Sequence, residues 1–497
     1  MSQHLPLLPI LLPLLAGIVL LGLSDMPLRY QRMVNFFATL LLLPVAIWLL
    51  PVAGEGARVY ALGNWQPPFG IVLVLDRLSA LMVFTTSLLA LAVLWFACAD
   101  QDREGDNFHA LFQFQLLGLN GAFLTGDLFN LFVFFEIMLI SSYALLVFGG
   151  GRARVMAGLH YVVLNLVGSV MFLIAVGTLY AVLGTLNIAD LARHIQVLPE
   201  SDTALVRAAG LLLLVVFALK AAMLPLGFWL PAAYANTSAP VAALFAIMTK
   251  VGVYAIIRIH GTLFGDQAGE LAGLGDSLLW WFGLATIVLS MVGVLAARHL
   301  RGVLVWLVVM SVGTLLAGLA LGGVDVLAGV LYYLLHSTWV IGALFLLAGA
   351  IMLRRGEAAD DFIAGPRAGP ALGLAFMFAA VAVIGLPPLS GFIAKVVLLQ
   401  AAGTDGWVVP FWTLLLLSGL ISLIAMSRAG SSLFWRGHDP TAETSALPLF
   451  PVWLLLACSL VMSLAGEPVF NYLHDAAANA LDSSHYIDAV LGARGDQ

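Results

Sequence analysis

The segment LFNLFVFFEIMLISSYALLVFG, residues 128–149, decides the class of fold. It is apolar almost throughout and carries a single charged residue, Glu136, near its middle. A run of about 20 predominantly apolar residues crosses the hydrocarbon core of a bilayer as one α-helix. The whole chain of 497 residues is 62% hydrophobic and 10% charged, whereas a soluble protein carries roughly 25% charged residues. This composition excludes a soluble globular enzyme and a disordered chain, and it predicts an all-α integral membrane protein.

Similar apolar runs recur along the chain, separated by short polar connections. At roughly 20 residues per span, we count about fourteen transmembrane helices. Their predicted cores are residues 5–23, 33–52, 71–97, 108–125, 128–149, 157–184, 204–236, 239–260, 278–297, 301–322, 325–353, 370–400, 407–428 and 447–466. Spans 204–236 and 370–400 are long and contain internal prolines. Because proline cannot donate the helical hydrogen bond, both are predicted to be broken helices.

The positions of the broken helices suggest the domain organisation. Each is the fourth of five consecutive spans, and corresponding interruptions in two sets of five helices are typical of an inverted repeat. We expect helices 1–3 in residues 1–107, a first five-helix repeat in 108–260 and a second in 278–428. Residues 429–497 are expected to hold helix 14 and a polar tail at the surface.

The arginines predict the orientation in the membrane. If the N-terminus lies outside, the connections after odd-numbered spans hold 12 arginines and the opposite side holds 6, as the positive-inside rule requires. The first apolar run lacks a basic leader and a small-residue cleavage site, so we interpret it as a span and not as a signal peptide. The net charge of −6 gives no reason to expect nucleic-acid binding, and the two cysteines have no disulfide or metal-ligand spacing.

Charged residues near the ends of spans are given structural interpretations. Asp76-Arg77 begins a span and is expected to form a local interfacial pair. Asp127 also begins a span and is expected to cap its helix. The acidic run from Asp100 to Glu104 is interpreted as a solvated loop.

The buried charges point to function. All three lysines, Lys220, Lys250 and Lys395, lie inside predicted spans. A lysine at the bilayer centre costs about 2.5–3.5 kcal/mol on insertion scales, so three without a function would be unexpected. Lysine suits proton transfer because its ammonium releases a proton on burial more readily than guanidinium does. The alternatives are structural ion pairs and lysines that extend to the interface.

Glu136 is the one carboxylate predicted in the middle of a span, and it requires a cation or a proton. Lys220, in the same half of the chain, is the nearest candidate by location. In such a pair the two groups titrate together. A proton arriving on Glu136 would weaken its hold on Lys220, and the lysine could then pass a proton onward.

His336 lies between the two halves in sequence and is a candidate relay because imidazole titrates near neutral pH. The alternative is a core histidine with its hydrogen bonds satisfied. Backbone groups freed by proline are tolerated in a membrane only against protein or a wet cavity, so the breaks predict water beside Lys220 and Lys395. A simple packing kink is the alternative. Candidates to hold connecting waters are Ser311, Tyr332, Tyr333, Ser337 and Thr338.

Four stretches of the chain resemble the motifs of one known family. They are GDLFNLFVFFE at 126–136, KAAMLPLGFWLPAAYA at 220–235, APV at 239–241 leading to Lys250, and GLPPLSGFIAK at 385–395. The family is the antiporter-like subunits shared by Mrp-type multisubunit cation/proton antiporters and respiratory complex I, and the chain is most similar to their Mrp D subunits. The resemblance matches the family's hydrated proton relay to Glu136, Lys220, Lys250, His336 and Lys395.

This resemblance implies a subunit of a secondary active transporter, not an enzyme, in a bacterial inner membrane. It implies other membrane subunits as partners, exchange of protons for Na⁺ or K⁺, and neither a bound cofactor nor a metal in this subunit. One rival is a proton-pumping subunit of a redox complex, such as complex I or a membrane hydrogenase. The others are a stand-alone transporter of an organic solute and a purely structural scaffold.

Overall fold

The structure, a computed structural model, describes residues 2–99, 101–438 and 448–492. Its α-helices in the first half are α1 Leu8–Gly22, α2 Leu28–Gly54, α3 Arg77–Ala97, α4 Phe108–Leu124, α5 Leu128–Val147, α6 Arg152–Leu183, α7 Ile188–Gln196, α8 Glu200–Ala221, α9 Trp229–Asn236, α10 Ala239–Phe245, α11 Met248–Ala255 and α12 Gly261–Leu263. Those that follow are α13 Asp276–Ala296, α14 Leu300–Leu319, α15 Val324–Arg355, α16 Pro370–Ile384, α17 Ser390–Ala402, α18 Val409–Gly430, α19 Phe450–Leu464, α20 Gly466–Leu481 and α21 Ser483–Leu491.

The helical membrane architecture is confirmed. Within the described ranges, 11 helical segments are long and apolar enough to cross a bilayer, or up to 12 when the pair α19 and α20, bent by 88°, counts as one span. The predicted span at 108–125 corresponds to α4, and the predicted span at 370–400 corresponds to α16 and α17. Each of these helices is too short to be counted among the 11. The count of fourteen and the inversion of the two repeats therefore stay predictions.

Both predicted breaks are present. In the first, α8 ends at Ala221 and α9 begins at Trp229, with a short 3₁₀ turn at Leu226–Phe228 between them. In the second, α16 ends at Ile384 and α17 begins at Ser390.

Small strands modify the predicted all-helical picture. β1 (Arg58–Ala61) pairs antiparallel with β2 (Val72–Leu75), and β3 (Gly365–Pro366) pairs parallel with β4 (Gly437–His438). The span predicted from residue 71 therefore begins only at Arg77. The reason is local, because the Asp76 carboxylate accepts from the Ser79 N–H while the Ser79 hydroxyl accepts from the Asp76 N–H, which fixes a helix start there.

Contacts between connections define two ends of the molecule. The strand end holds β1 and β2, a bridge between Asp127 and Asn187, and a hydrogen bond from Gln267 to Ser484. The arginine-rich end holds the bridge between His299 and Asp361, the pairing of β3 with β4, and the residues around Asp102. Twelve of the arginines belong to the connections of this second end, as the topology argument grouped them.

Candidate functional site

Glu136 on α5 is half-buried, and its carboxylate accepts a hydrogen bond from the Ser169 hydroxyl on α6. One turn earlier on α6, the Asn165 side-chain oxygen accepts from the Lys220 ammonium at 3.2 Å. Among the described residues, no ion pair joins Glu136 to Lys220 directly. Two polar side chains on one face of α6 therefore stand between the carboxylate and the ammonium.

Lys220 occupies the last turn of α8, where the first break begins. Pro225 has no N–H for the Ala221 carbonyl, so the helix cannot continue through this point. The Leu224 N–H instead donates to the Thr286 hydroxyl of α13 at 3.1 Å. The break thus leaves Lys220, 6% exposed, at the end of α8, while Leu224 within the break contacts α13 of the second half.

Lys250 on α11 is completely buried. Its ammonium donates to the Ser311 hydroxyl on α14 at 2.9 Å, a contact that joins the first half of the chain to the second. Gly252 packs against the end of α8 so closely that an added Cβ would lie 2.4 Å from the Ala221 nitrogen. The helices that carry Lys220 and Lys250 therefore touch next to the two lysines.

His336 on α15 is 3% exposed and contacts the start of the helix that follows the second break. Its Nδ1 lies 2.7 Å from the Ser390 hydroxyl, and that hydroxyl lies 2.7 Å from the Ser459 hydroxyl on α19. Gly391 leaves room for the ring, because an added Cβ would lie 2.9 Å from the imidazole Nε2.

Lys395 on α17 is held by the break itself. Its ammonium donates to the Ile384 carbonyl at 2.8 Å. That carbonyl would accept from residue 388 in a continuous helix, but residue 388 is proline and has no N–H. The Gly419 side of α18 closes the site, since an added Cβ there would lie 2.9 Å from the Lys395 nitrogen.

A small cavity lies between the partner of Lys250 and the two titratable groups at the second break. Its volume is about 20 Å³, and Ser311, His336 and Lys395 all line it. A polar cavity of this size holds about one water molecule. Ser311, which is the partner of Lys250, the His336 imidazole and Lys395 therefore line the same small cavity.

The five predicted residues thus form a series in which each makes a polar contact with a side chain or a backbone carbonyl, while no hydrogen bond among the described residues joins Lys220 to Lys250. Sequence reasoning named Ser311 but missed four partners: Asn165, Ser169, Ser390 and Ser459. A signal existed for two of them, because an asparagine and a serine four residues apart lie on the same face of an otherwise apolar helix.

Outside this series, two predictions about charges were wrong: the Asp76-Arg77 pair, and the solvated loop at residues 100–104. Asp76 does not pair with Arg77; it pairs with Arg258, 2.6 Å away, on a buried turn of the eighth predicted span. Arg77 instead lies 3.2 Å from Asp475 on α20. The tail after Gly466 lies at the surface with one face packed against the bundle, where Leu473 is fully buried. The prediction that Asp127 caps its helix is confirmed, since its carboxylate accepts from the Asn130 N–H.

The acidic run at 100–104 is not a fully solvated loop, although Asp100 lies outside the described residues. Asp102 is 1% exposed, accepts from Arg32 at 2.6 Å and lies 3.1 Å from the His109 Nε2. Burial raises the pKa of Asp102, but hydrogen bonds from His109 and Arg32 outweigh this, so that the net pKa is lowered. Cys98 completes a group whose possible ligand atoms lie within 4.8 Å of one another. Because both Asp102 oxygens already accept from Arg32, the group is an ion-pair network and not an open metal site.

These features define a class: a polytopic membrane protein whose spans carry three lysines, a histidine and a carboxylate, with two of the lysines at helix breaks. The family model described as NADH:quinone oxidoreductase/Mrp antiporter, TM, matches residues 125–424. The chain belongs to this family.

Curated relatives and a solved structure agree with that membership. The chain is 42% identical to a protein of Rhizobium meliloti (strain 1021) named as the D subunit of a probable K⁺/H⁺ antiporter, covering 99% of this chain and 98% of the relative. It is 36% identical to the D subunit of an Na⁺/H⁺ antiporter of Bacillus subtilis (strain 168), covering 98% and 99%. A chain in the structure of the Mrp complex from Dietzia sp. DQ12-45-1b superposes with a TM-score of 0.88 and 30% identity, over 99% of both chains.

Proposed function

We propose that this chain is the proton-translocating subunit of a multisubunit monovalent cation/proton antiporter. The observation that carries the proposal is the buried series from Glu136 on α5 to Lys395 on α17, in which each titratable group contacts a polar side chain or a freed carbonyl. The names of the relatives support the reaction class, because both are antiporter D subunits and one is named for K⁺ and the other for Na⁺. The exchanged ion is accordingly Na⁺ or K⁺.

In the proposed mechanism, Glu136 and Lys220 form the coupling pair through Ser169 and Asn165. A proton that arrives on Glu136 removes its negative charge and so favours loss of a proton from Lys220. Lys250 accepts the proton, and the small cavity passes it to His336. Lys395, at the second break, exchanges the proton with one side of the membrane.

Lateral exposure of the two ends of the series supports partner subunits. Glu136 and Lys395 are both only half-buried, and large apolar side chains near them are exposed, among them Val133 at 37% and Phe392 at 40%. A charged side chain that is partly exposed to lipid is costly, whereas a polar neighbour would satisfy it. Other membrane subunits of the complex are the proposed neighbours there.

We place the protein in a bacterial cytoplasmic membrane with the arginine-rich end facing the cytoplasm. The bacterial origin of the relatives supports the location, and the positive-inside rule supports the orientation. The second candidate is a proton-pumping subunit of a redox complex, which the family description also covers.

The test uses inverted membrane vesicles that carry this chain with its native neighbouring subunits. Respiration sets up a ΔpH, and NaCl or KCl is then added. We expect one of the salts to collapse the ΔpH, and Lys220→Ala to abolish the response while the complex still assembles.

Lys220→Met is the companion variant, because it keeps the length of the side chain and removes only the ammonium. Exchange at the wild-type rate in both variants would remove Lys220 from the mechanism. Proton pumping that depends on an electron donor, with no response to either salt, would assign the chain to the redox complexes.

A further inference from the structure

An apolar groove runs along the surface of the bundle between α16 and α18. Its volume is about 840 Å³, within the range of about 300–1,000 Å³ that ligand-binding clefts have. It shares no lining residue with the small cavity of the relay. Its walls are mostly apolar side chains, some of them buried and some exposed, among them Leu374, Phe376, Met377, Leu423 and Met426.

The groove has the length of one membrane leaflet. Its lining follows α16 from Pro370 to Ile384 and ends at Leu386 in the second break. The 15 residues of α16 extend about 22 Å at 1.5 Å per residue, whereas half of the hydrocarbon core is about 15 Å thick. The groove therefore reaches from the headgroup level at the arginine-rich end to about the centre of the bilayer.

Two arginines lie at the headgroup end of the groove. Arg354, in the last turn of α15, and Arg367, just before α16, both line it, and no carboxylate is found among the described residues of the lining. Arg354 is partly exposed and forms no hydrogen bond or ion pair within the described ranges. Trp435, also in the lining, is 66% exposed, and tryptophan is enriched at the level of the lipid headgroups. This end thus combines positive charge with an interfacial anchor.

The groove therefore suits a ligand with a long apolar body and an anionic end. Guanidinium forms strong, charge-assisted hydrogen bonds with phosphate, and basic pockets between helices on the cytoplasmic side of a membrane bind acidic lipid headgroups. A phospholipid has both parts. A helix of a neighbouring subunit would cover the apolar walls, but it would supply no anion for Arg354 unless it carried a carboxylate there.

We propose that this groove binds one acidic phospholipid of the leaflet at the arginine-rich end, with its phosphate held by Arg354 and Arg367 and an acyl chain along α16. The chain ends at the second break, because Ile384 and Leu386 line that end of the groove. The Ile384 carbonyl accepts from the Lys395 ammonium, so an occupied groove supports the backbone that positions this lysine. The lipid site stands without the antiport function, whereas its effect on exchange through Lys395 rests on the proposed function.

The test of binding uses the complete purified complex and a phosphatidylglycerol that carries a photoreactive diazirine in its acyl chain. After illumination, labelled peptides are identified by mass spectrometry. We expect label on α16 and α18, displaced by unlabelled phosphatidylglycerol and not by phosphatidylcholine with the same chains. Arg354→Gln/Arg367→Gln should lower the labelling at a subsaturating lipid concentration about tenfold or more, because each basic residue contributes roughly a factor of five to the binding of acidic lipid.

Two further variants separate the charges from the apolar walls. The matched control is Arg29→Gln/Arg152→Gln, which removes two exposed arginines of the same end that do not line the groove, and it should keep the wild-type labelling. Gly373→Leu keeps both groove arginines and fills part of the groove. An added Cβ at Gly373 has Phe434 as its nearest neighbour, 3.4 Å away, so the site accommodates a side chain. We expect this variant to lose labelling as well.

The effect on transport is measured in liposomes. The wild-type complex should exchange cations for protons faster in phosphatidylcholine with added phosphatidylglycerol than in phosphatidylcholine alone. Arg354→Gln/Arg367→Gln should lose this difference, and the control pair should keep it. A difference that persists in the groove variant would refute the link between the lipid and Lys395.

The outcomes separate the lipid site from the antiport function. Labelling that phosphatidylcholine displaces equally well, or that the groove variant leaves unchanged, would overturn the acidic-lipid site. An unlabelled groove, together with loss of a co-purifying subunit in Gly373→Leu, would assign the groove to that subunit and also overturn the proposal. If the wild-type complex exchanges neither Na⁺ nor K⁺ in any lipid, the proposed function fails, and the labelling still decides the lipid site.

Discussion

Asn165 is the point at which the proposed relay is most simply interrupted. Replacing Asn165 by leucine keeps the approximate volume of a 1% exposed side chain on α6 and removes the hydrogen-bond acceptor of Lys220 among the described residues. Both charges of the coupling pair stay in place. The variant therefore tests the polar connection and not the charges themselves.

The size of the effect follows from that single contact. A hydrogen bond to a charged group contributes about 1.5–3 kcal/mol. If the contact positions the ammonium in the rate-limiting transfer, its loss slows exchange by roughly 10- to 150-fold, since about 1.4 kcal/mol corresponds to a factor of ten.

The assay is the rate at which NaCl or KCl collapses a respiratory ΔpH in inverted vesicles, with the amount of assembled complex measured in the same membranes. Thr178→Val is the control, because Thr178 lies on the same helix and, among the described residues, its hydroxyl donates only to the Ile174 carbonyl of its own helix. We expect the control to exchange at the wild-type rate. Normal assembly with a wild-type rate in Asn165→Leu would refute the connection through α6, and equal losses in both variants would assign the effect to helix packing.

Two further substitutions test other parts of the structure. Gly419→Ala places a Cβ 2.9 Å from the Lys395 nitrogen and should reduce exchange about tenfold by displacing the ammonium, whereas Gly177→Ala, with nothing within 4 Å, should not; equal rates would show that the ammonium has room to move. Asp102→Asn should destabilise the purified complex by about 1.5–3 kcal/mol, because it removes the buried carboxylate that accepts from Arg32 and lies beside His109. Since the folded-state pKa of Asp102 is lowered, its stabilisation is fully present above the unfolded-state pKa of about 4 and is lost only as the pH falls through the folded-state pKa. Titration of Asp102 itself therefore adds no pH dependence to the loss of melting temperature between about pH 6 and 8, and disappearance of the loss in this range would contradict the assignment.

The helical architecture could be predicted because composition alone determines it. A segment as apolar as 128–149 cannot form the surface of a soluble protein. Pro225 and Pro388 lack a backbone N–H and therefore interrupt any helix in which they lie. The strand at Val72–Leu75 could not be separated from the span that follows, because four apolar residues next to an apolar helix carry the same hydropathy as the helix. The start of that helix was visible only in the capping side chains of Asp76 and Ser79.

The charged members of the site could be named for an energetic reason. A lysine in a span is expensive enough to be informative on its own. Apart from Ser311, their partners were not named, because serine and asparagine are common in helix packing, and which of them meets a lysine depends on helix rotation. Asp76 shows the same limit, since its partner Arg258 is distant in sequence and Arg77 was adjacent.

The second break shows why proline and lysine occur together at this site. Pro388 leaves the Ile384 carbonyl without a backbone N–H donor, and the Lys395 ammonium donates a hydrogen bond to that carbonyl instead. A protonated amine binds a carbonyl more strongly than a neutral one, because a charge-assisted hydrogen bond is roughly twice as strong. Loss of the proton therefore weakens a contact that ties α17 to the end of α16. We expect the geometry of the break to follow the protonation of Lys395, so that proton transfer at this position changes the packing of a helix as well as a charge.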